Sequence, residues 1–247
     1  MLHGFTGSGL DFDGLAQHMP GRIWAPDIIG HGNSPAPRSV APYSMEAVID
    51  QLEDWRKTHL HEHFHLVGYS MGGRVALHWI AHAPEQIRSL TLISANPGLA
   101  DPTDRTLRQK ADHHLADHIE EIGTARFASE WSKHPLIRTQ SKAPAAFRSA
   151  METRRSQNKT WGLANSLRAM GTGTMPSMWG HLSAINTPTL IMVGEQDHKY
   201  ADIGAACHQA MGNSQIVVMK DVGHAPHIES PAPAGKQITL FHSKLVR

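Results

Sequence analysis

The chain has 247 residues, 40% hydrophobic and 18% charged, with a formal net charge of +1. This is the composition of one ordinary globular domain with a sizeable core, and the near-zero charge favours neither nucleic acid nor an acidic surface partner. Cys207 is the sole cysteine, so no internal disulfide forms; no apolar run is long enough to span a membrane and no signal peptide opens the chain, so a cytoplasmic location is expected.

Met1 to Gly9 is a glycine-rich loop. It lacks the G-x-x-x-x-G-K-[ST] spacing of a phosphate loop. Its other use is to offer a backbone N–H, here that of Phe5, to a developing oxyanion; a plain turn is the alternative. Only Met1 and Leu2 precede its His3-Gly4, so the expectation is that the amino-terminal strands are missing or the sheet is shortened.

Asp11 to Met19 reads as a helix ending at Pro20–Gly21, and Arg22 to Pro26 as a strand. Asp27 to Ser34 is a tight, glycine-rich turn. Asp27 and His31 fit the shaping of that turn better than a catalytic pair. Ser44 caps a helix running to about Thr58, with Val48, Leu52 and Trp55 on one face. His59, His61, His63 and His65 alternate, but a period of two supplies no tetrahedral ligand set, so no metal is expected.

Phe64 to Val67 is short, apolar and β-prone, and Val75 to Ile80 continues as a helix with Trp79 and Ile80 inward. Between them Gly68-Tyr69-Ser70-Met71-Gly72 fits the G-x-S-x-G nucleophile elbow. In that turn the serine sits on a strained backbone, and the glycines let the chain pass close by. The Met71 N–H, at the helix start, points where an oxyanion forms. His78 and His82 lie four apart, but no Glu follows the first, so the metalloprotease pattern fails.

Ser89 to Ala95 is a buried strand and Asn96 to Leu99 a turn. From Asp101 to about Leu182 the pattern becomes helical, polar and arginine-bearing. We expect a helical cap here (about 101–182) inserted into a single domain spanning 1–247. Thr187 to Gly194 resumes the sheet, Tyr200 to Met211 is a helix, and Gln215 to Lys220 is the last clear strand. A segment with Pro231 and Pro233 ends in an apolar stretch, Ile238 to Val246.

Ser70, Asp197 and His224 each follow a strand, in the chain order of α/β-hydrolase triads. His224 would take the Ser70 proton, and Asp197 would hold the imidazole tautomer and stabilise its cation. Glu195 and Asp221 are rival acids; Asp197 is preferred because it lies a few residues past its strand. His227 is the rival base and lacks the preceding Gly turn.

The blocks Leu2–Phe5, Gly30–Gly32, Leu66–Arg74, Asn96–Leu99, Arg155–Asn158, Gly194–Lys199 and Gly223–His224 run across nearly the whole chain. On these the sequence resembles the 2-succinyl-6-hydroxy-2,4-cyclohexadiene-1-carboxylate synthases, lyases of the menaquinone pathway. The resemblance implies an α/β-hydrolase fold, a mostly parallel sheet flanked by helices with an inserted helical cap. It implies Ser70, Asp197 and His224 as the triad. It implies Arg74, Arg108 and Arg155 as ligands of substrate carboxylates, and Tyr69 and Trp131 as aromatic residues of the site. It implies a small tricarboxylate substrate that loses pyruvate; no cofactor, no metal and a monomeric chain are expected. The rival readings are a serine carboxylesterase or carbon–carbon bond hydrolase of the same fold, and a binding module. The arginines speak against the first, and the full set of three triad residues against the second.

Overall fold

The structure, a computed structural model, describes residues 1–60 and 62–245. His61 of the alternating histidine run and Val246 of the carboxyl-terminal apolar stretch lie outside the described residues. Among the described residues four strands form one sheet in the spatial order β1 (Phe64–Tyr69), β2 (Ile87–Ile93), β3 (Thr189–Gly194) and β4 (Ser214–Met219). Every pairing is parallel, with Gly68 opposite Leu92, Leu92 opposite Ile191, and Ile191 opposite Ile216.

The short apolar runs dictate this arrangement, because a strand without polar alternation needs both faces covered. Leu66, Leu90, Leu92, Ile191 and Val193 face one core with Val75, Leu77 and Trp79. Val67, Ile93, Leu190 and Met192 face the other with Ile238 and Phe241. The first core is covered by α2 (Met45–His59), α3 (Met71–His82) and α7 (His198–Ala210), and the second by α9 (Pro231–Ser243). Ser44 caps α2 by accepting from the Ala47 N–H at 3.2 Å.

The crossover from β2 to β3 carries the arginine-bearing region. It contains α4 (Pro102–Ser132), α5 (Ala145–Gln157) and α6 (Thr160–Met170). α4 kinks at Gly123, whose φ of 76° is left-handed. Ala116, Ile119, Phe127, Leu163, Ala164 and Leu167 give α4 and α6 a small core of their own. Because all strands run the same way, the loops after β1, β3 and β4 emerge at one edge of the sheet, beneath this region.

Two expected elements differ, and one segment gains an element. Arg22 to Pro26 forms no strand. Leu2 makes a single parallel bridge to Gly68, with Leu2 N–H to Val67 O at 2.8 Å and Tyr69 N–H to Leu2 O at 3.0 Å. Met1 meets Trp24 only through its amine, which donates to the Trp24 carbonyl at 2.6 Å. One pair does not make a ladder. Asp11 to Met19 contracts to a 3₁₀ turn (Gly9–Phe12) and one α-turn, α1 (Asp13–Ala16), because Gly14 weakens the helix and Pro20 follows closely. The segment with Pro231 and Pro233, given no element from the sequence, is a helix that begins at Pro231. In a first turn their missing N–H groups would have been unpaired in any case.

At the β1–α3 junction the backbones meet without room for side chains. A Cβ on Gly68 would lie 2.4 Å from Gly72 O, and one on Gly72 would lie 2.1 Å from Leu2 O. Gly72→Ala is therefore expected to cost about 1–3 kcal/mol or more of stability, as forced overpacking does. Urea unfolding of the two proteins checks this, and an unchanged midpoint would contradict the close packing.

Candidate active site

Ser70 stands between β1 and α3 with φ 49° and ψ −108°, a left-handed conformation for a residue bearing a Cβ. Such strain costs on the order of 1–3 kcal/mol and persists only when its surroundings enforce it. The enforcement is local. The Ser70 N–H donates to Ile93 O at 2.9 Å, and the Ser70 carbonyl accepts from the N–H groups of Gly73 and Arg74, both at 3.1 Å.

The Ser70 hydroxyl lies 3.0 Å from His224 Nε2, and His224 Nδ1 lies 2.6 Å from Asp197 Oδ2. With the proton on Nδ1, the imidazole donates to Asp197 and accepts from Ser70. His224 is 1% exposed and Asp197 9%, so the link between them is shielded from water. Asp197 also caps α7, accepting from the Tyr200 N–H at 3.4 Å. The two loops are laced together by Gln196 N–H to Val222 O at 2.8 Å.

The rival groups stand outside this relay. Glu195 accepts from the Asp221 N–H at 3.0 Å, and Asp221 takes a left-handed φ of 57° at the exposed turn. His227 is buried with both ring nitrogens unpartnered, against Tyr69 at 4.3 Å and Phe12 at 4.8 Å between ring centres. Asp27 accepts from Gly9 N–H at 2.7 Å and Asn33 N–H at 2.8 Å, so it shapes its turn. His31 is buried beside it, with Nδ1 3.2 Å from Ile29 O.

Phe5 lies in the glycine-rich loop, and the carbonyl of its neighbour Thr6 accepts from Asn158 Nδ2 at 2.9 Å. Asn158 Oδ1 in turn accepts from Gly32 N–H at 2.8 Å, so this side chain ties two loops to the end of α5. Among the described residues neither the Phe5 nor the Met71 N–H meets an acceptor within the protein. Phe5 also packs edge-on against Trp131 at 5.7 Å, and Trp131 stacks on Phe127 at 5.6 Å and His134 at 4.8 Å. Tyr200 meets the His224 ring edge to face at 4.4 Å.

The arginines divide by their partners. Arg154 pairs with Asp11 at 2.8 Å, and Arg168 with Asp117 and Glu120 at 2.6 and 2.7 Å. Arg108 pairs with the buried Asp112 at 2.8 Å and is 41% exposed. Arg74 and Arg155 have no carboxylate partner among the described residues. Arg74 donates to Thr172 Oγ1, and burial pulls its guanidinium down to about 10. Arg155 is 5% exposed and donates to Gln140 Oε1 at 2.8 Å; burial lowers it too. Gln140 Nε2 continues to the Tyr69 hydroxyl at 3.4 Å, and burial raises that phenol. A groove of about 590 Å³ lies elsewhere, along the outer edge of β1 by Trp24, Trp55, Phe64 and His242.

Gln140, Thr172 and Tyr200 were not singled out from the sequence. Thr172 and Gln140 meet their partners only through the tertiary fold. Tyr200 had a signal: three residues past Asp197, it shares the first turn of the helix that Asp197 caps.

A four-stranded parallel sheet with a serine, a histidine and an aspartate converging on one edge defines an enzyme-like α/β-hydrolase architecture. The sequence matches the family described as alpha/beta hydrolase fold over residues 1–231. A protein of Bacillus subtilis (strain 168), provisionally named 2-succinyl-6-hydroxy-2,4-cyclohexadiene-1-carboxylate synthase, is 36% identical, over 97% of this chain and 88% of its own. The synthase of that name from Serratia proteamaculans (strain 568) is 28% identical, over 97% of this chain and 91% of its own. The solved structure of MenH from S. aureus superposes with a TM-score of 0.91 at 27% identity, covering all of this chain (100%) and 93% of that one. The chain belongs to the 2-succinyl-6-hydroxy-2,4-cyclohexadiene-1-carboxylate synthase family of α/β-hydrolase-fold proteins.

Burial pushes His227 and His31 down to about 3, from the ordinary 6.5. The unfolded chain therefore takes up protons below pH 6.5 that the folded chain refuses. Stability is fully present above pH 6.5 and is lost progressively as pH falls toward 3. His227→Phe removes one such group from a pocket that is already aromatic. Urea melts at stepped pH are expected to show a shallower loss between pH 6.5 and 4 in this variant. Identical pH profiles would contradict the neutral, buried histidine.

Proposed function

We propose that the chain eliminates pyruvate from 2-succinyl-5-enolpyruvyl-6-hydroxy-3-cyclohexene-1-carboxylate, giving the cyclohexadiene product of menaquinone biosynthesis. The observation that carries this reading is a pair of arginines without acid partners among the described residues, Arg155 buried and Arg74 half-buried, in the region of the Ser70 relay. A buried cation costs several kcal/mol unless an anion compensates it. The substrate carries three carboxylates, one on the ring, one on the succinyl arm and one on the enolpyruvyl group. A neutral ester would leave both cations uncompensated.

In this reading His224 takes the Ser70 proton while Asp197 holds the imidazole and steadies its cation. The Ser70 oxygen removes the ring proton beside the succinyl ketone. That C–H electron pair delocalises into the ketone as an enolate, which the N–H groups of Phe5 and Met71 stabilise. The enolate collapses, the ring C–O bond breaks, and the enolpyruvyl group departs. It takes up a proton and becomes pyruvate, and the ring gains its second double bond. No bond forms between Ser70 and the substrate.

Arg74, Arg108 and Arg155 hold carboxylates in this scheme, the guanidinium fork suiting their planar geometry. Tyr69 and Trp131 form apolar sides of the site, and Phe5 and Phe127 extend the wall of Trp131. Among the described residues no helix is long and apolar enough to cross a membrane.

Pyruvate release from the enolpyruvyl substrate tests the proposal. Ser70→Ala is expected to lower kcat about 10³-fold or more, as loss of a triad nucleophile does. Arg74→Ala is expected to raise KM about tenfold or more, the value of one charge-assisted bond. Ester cleavage without pyruvate release would contradict the lyase and favour a hydrolase.

A further inference from the structure

Glu229 takes no part in the chemistry above, yet its carboxylate grips the loop that carries His224. One oxygen accepts from the Gly223 N–H at 2.7 Å, and the other from the Ala225 N–H at 3.0 Å. These two amides flank His224 on either side. Glu229 reaches them because it closes the short helix α8 (Pro226–Glu229), which turns the chain back beneath the loop. The same carboxylate accepts a third bond, from Thr139 Oγ1 at 2.8 Å.

Thr139 belongs to a 3₁₀ turn, Arg138–Lys142, in the region inserted between β2 and β3. This turn sits directly on the histidine loop: a Cβ on Gly223 would lie 2.1 Å from Thr139 Oγ1. It also holds the aspartate loop, where Lys142 Nζ donates to Gln196 Oε1 at 2.9 Å, one residue before Asp197. Gln140 between them reaches the Tyr69 hydroxyl. A single turn of the inserted region thus touches the chain beside all three members of the relay.

We propose that Glu229 is a positioning residue for His224, and that its bond from Thr139 ties the setting of that imidazole to the inserted helical region. The inference rests on Ser70 and His224 being the reacting pair. Backbone amides bound to a carboxylate make charge-assisted bonds, stronger than those to a neutral carbonyl. They fix residues 223 and 225, and so the Cα of His224. The ring must satisfy Ser70 at 3.0 Å and Asp197 at 2.6 Å together. Glutamine in place of Glu229 offers one acceptor oxygen and an NH₂ that faces a donor, so one flanking amide loses its partner. The loop then relaxes without removing any group that touches substrate.

The test uses the full chain. Pyruvate release, fluorophosphonate labelling of Ser70 and melting temperature are measured for the wild type, Glu229→Gln and Thr139→Val. Glu229→Gln is expected to lower kcat about 10–100-fold, the cost of a misplacement near 1 Å, with KM within about threefold of wild type. Labelling slows with it, because labelling reports the Ser70–His224 couple without the pathway substrate. Thr139→Val keeps both amide bonds, so its kcat falls less, by about two- to tenfold, with KM unchanged. Wild-type kcat and labelling in a folded Glu229→Gln protein would overturn the inference. So would a loss that follows only the fraction folded. If Glu229→Gln does not fold, Thr139→Val decides, and an unchanged kcat and labelling rate overturns the link. Absent pyruvate release in the wild type, with labelling still slowed in Glu229→Gln, would remove the lyase reading and support this one.

Discussion

The left-handed backbone at Ser70 is the constraint on which the site depends. A strand must become a helix within one residue, and the hydroxyl must stand clear of both. That is possible because Gly68 and Gly72 leave no Cβ in the way and because Ile93 O takes the Ser70 N–H. The sheet supplies that carbonyl, since β2 lies beside β1 in parallel register. The same parallel order brings the loops of Asp197 and His224 to the same edge. Strain at one residue is thus held by hydrogen bonds and packing that belong to the whole sheet.

The second constraint is electrostatic. The relay itself could serve an ester, a thioester or a proton abstraction, and nothing in its distances chooses. In the proposed reading Arg74 and Arg155 make the choice, because neither meets a carboxylate among the described residues, whereas Arg154 and Arg168 each pair with one or more. Desolvation lowers both unpaired guanidiniums, and an anionic ligand would restore what burial takes away. Arg108 differs: it is half-exposed and already paired with Asp112, so a substrate carboxylate would have to share it.

Much of this was legible in the sequence where local chemistry decides. Gly68 to Gly72, the apolar strands and the Ser44 cap each carry their geometry in a few adjacent residues. The failures share a cause. Arg22 to Pro26 reads as a strand, but a strand needs a neighbour, and Met1 offers it only an amine bonded to Trp24 O. Pro231 and Pro233 gave no element from sequence, yet a first helical turn has no use for their missing amides. Glu229, Gln140 and Thr172 carried no local signal at all, since their partners lie far along the chain or, for Glu229, across a turn whose shape only the structure gives. Asp197 is preferred to Glu195 and Asp221 by its place past the strand, and the structure adds that Glu195 is engaged by the Asp221 N–H.

The central claim is that Ser70 moves a proton and never carries the substrate. Intact-protein mass spectrometry on samples quenched during turnover of the enolpyruvyl substrate tests it most directly. The account predicts the mass of the unmodified chain at every time point while pyruvate accumulates. A stoichiometric covalent adduct on Ser70 that forms and decays with turnover would contradict it.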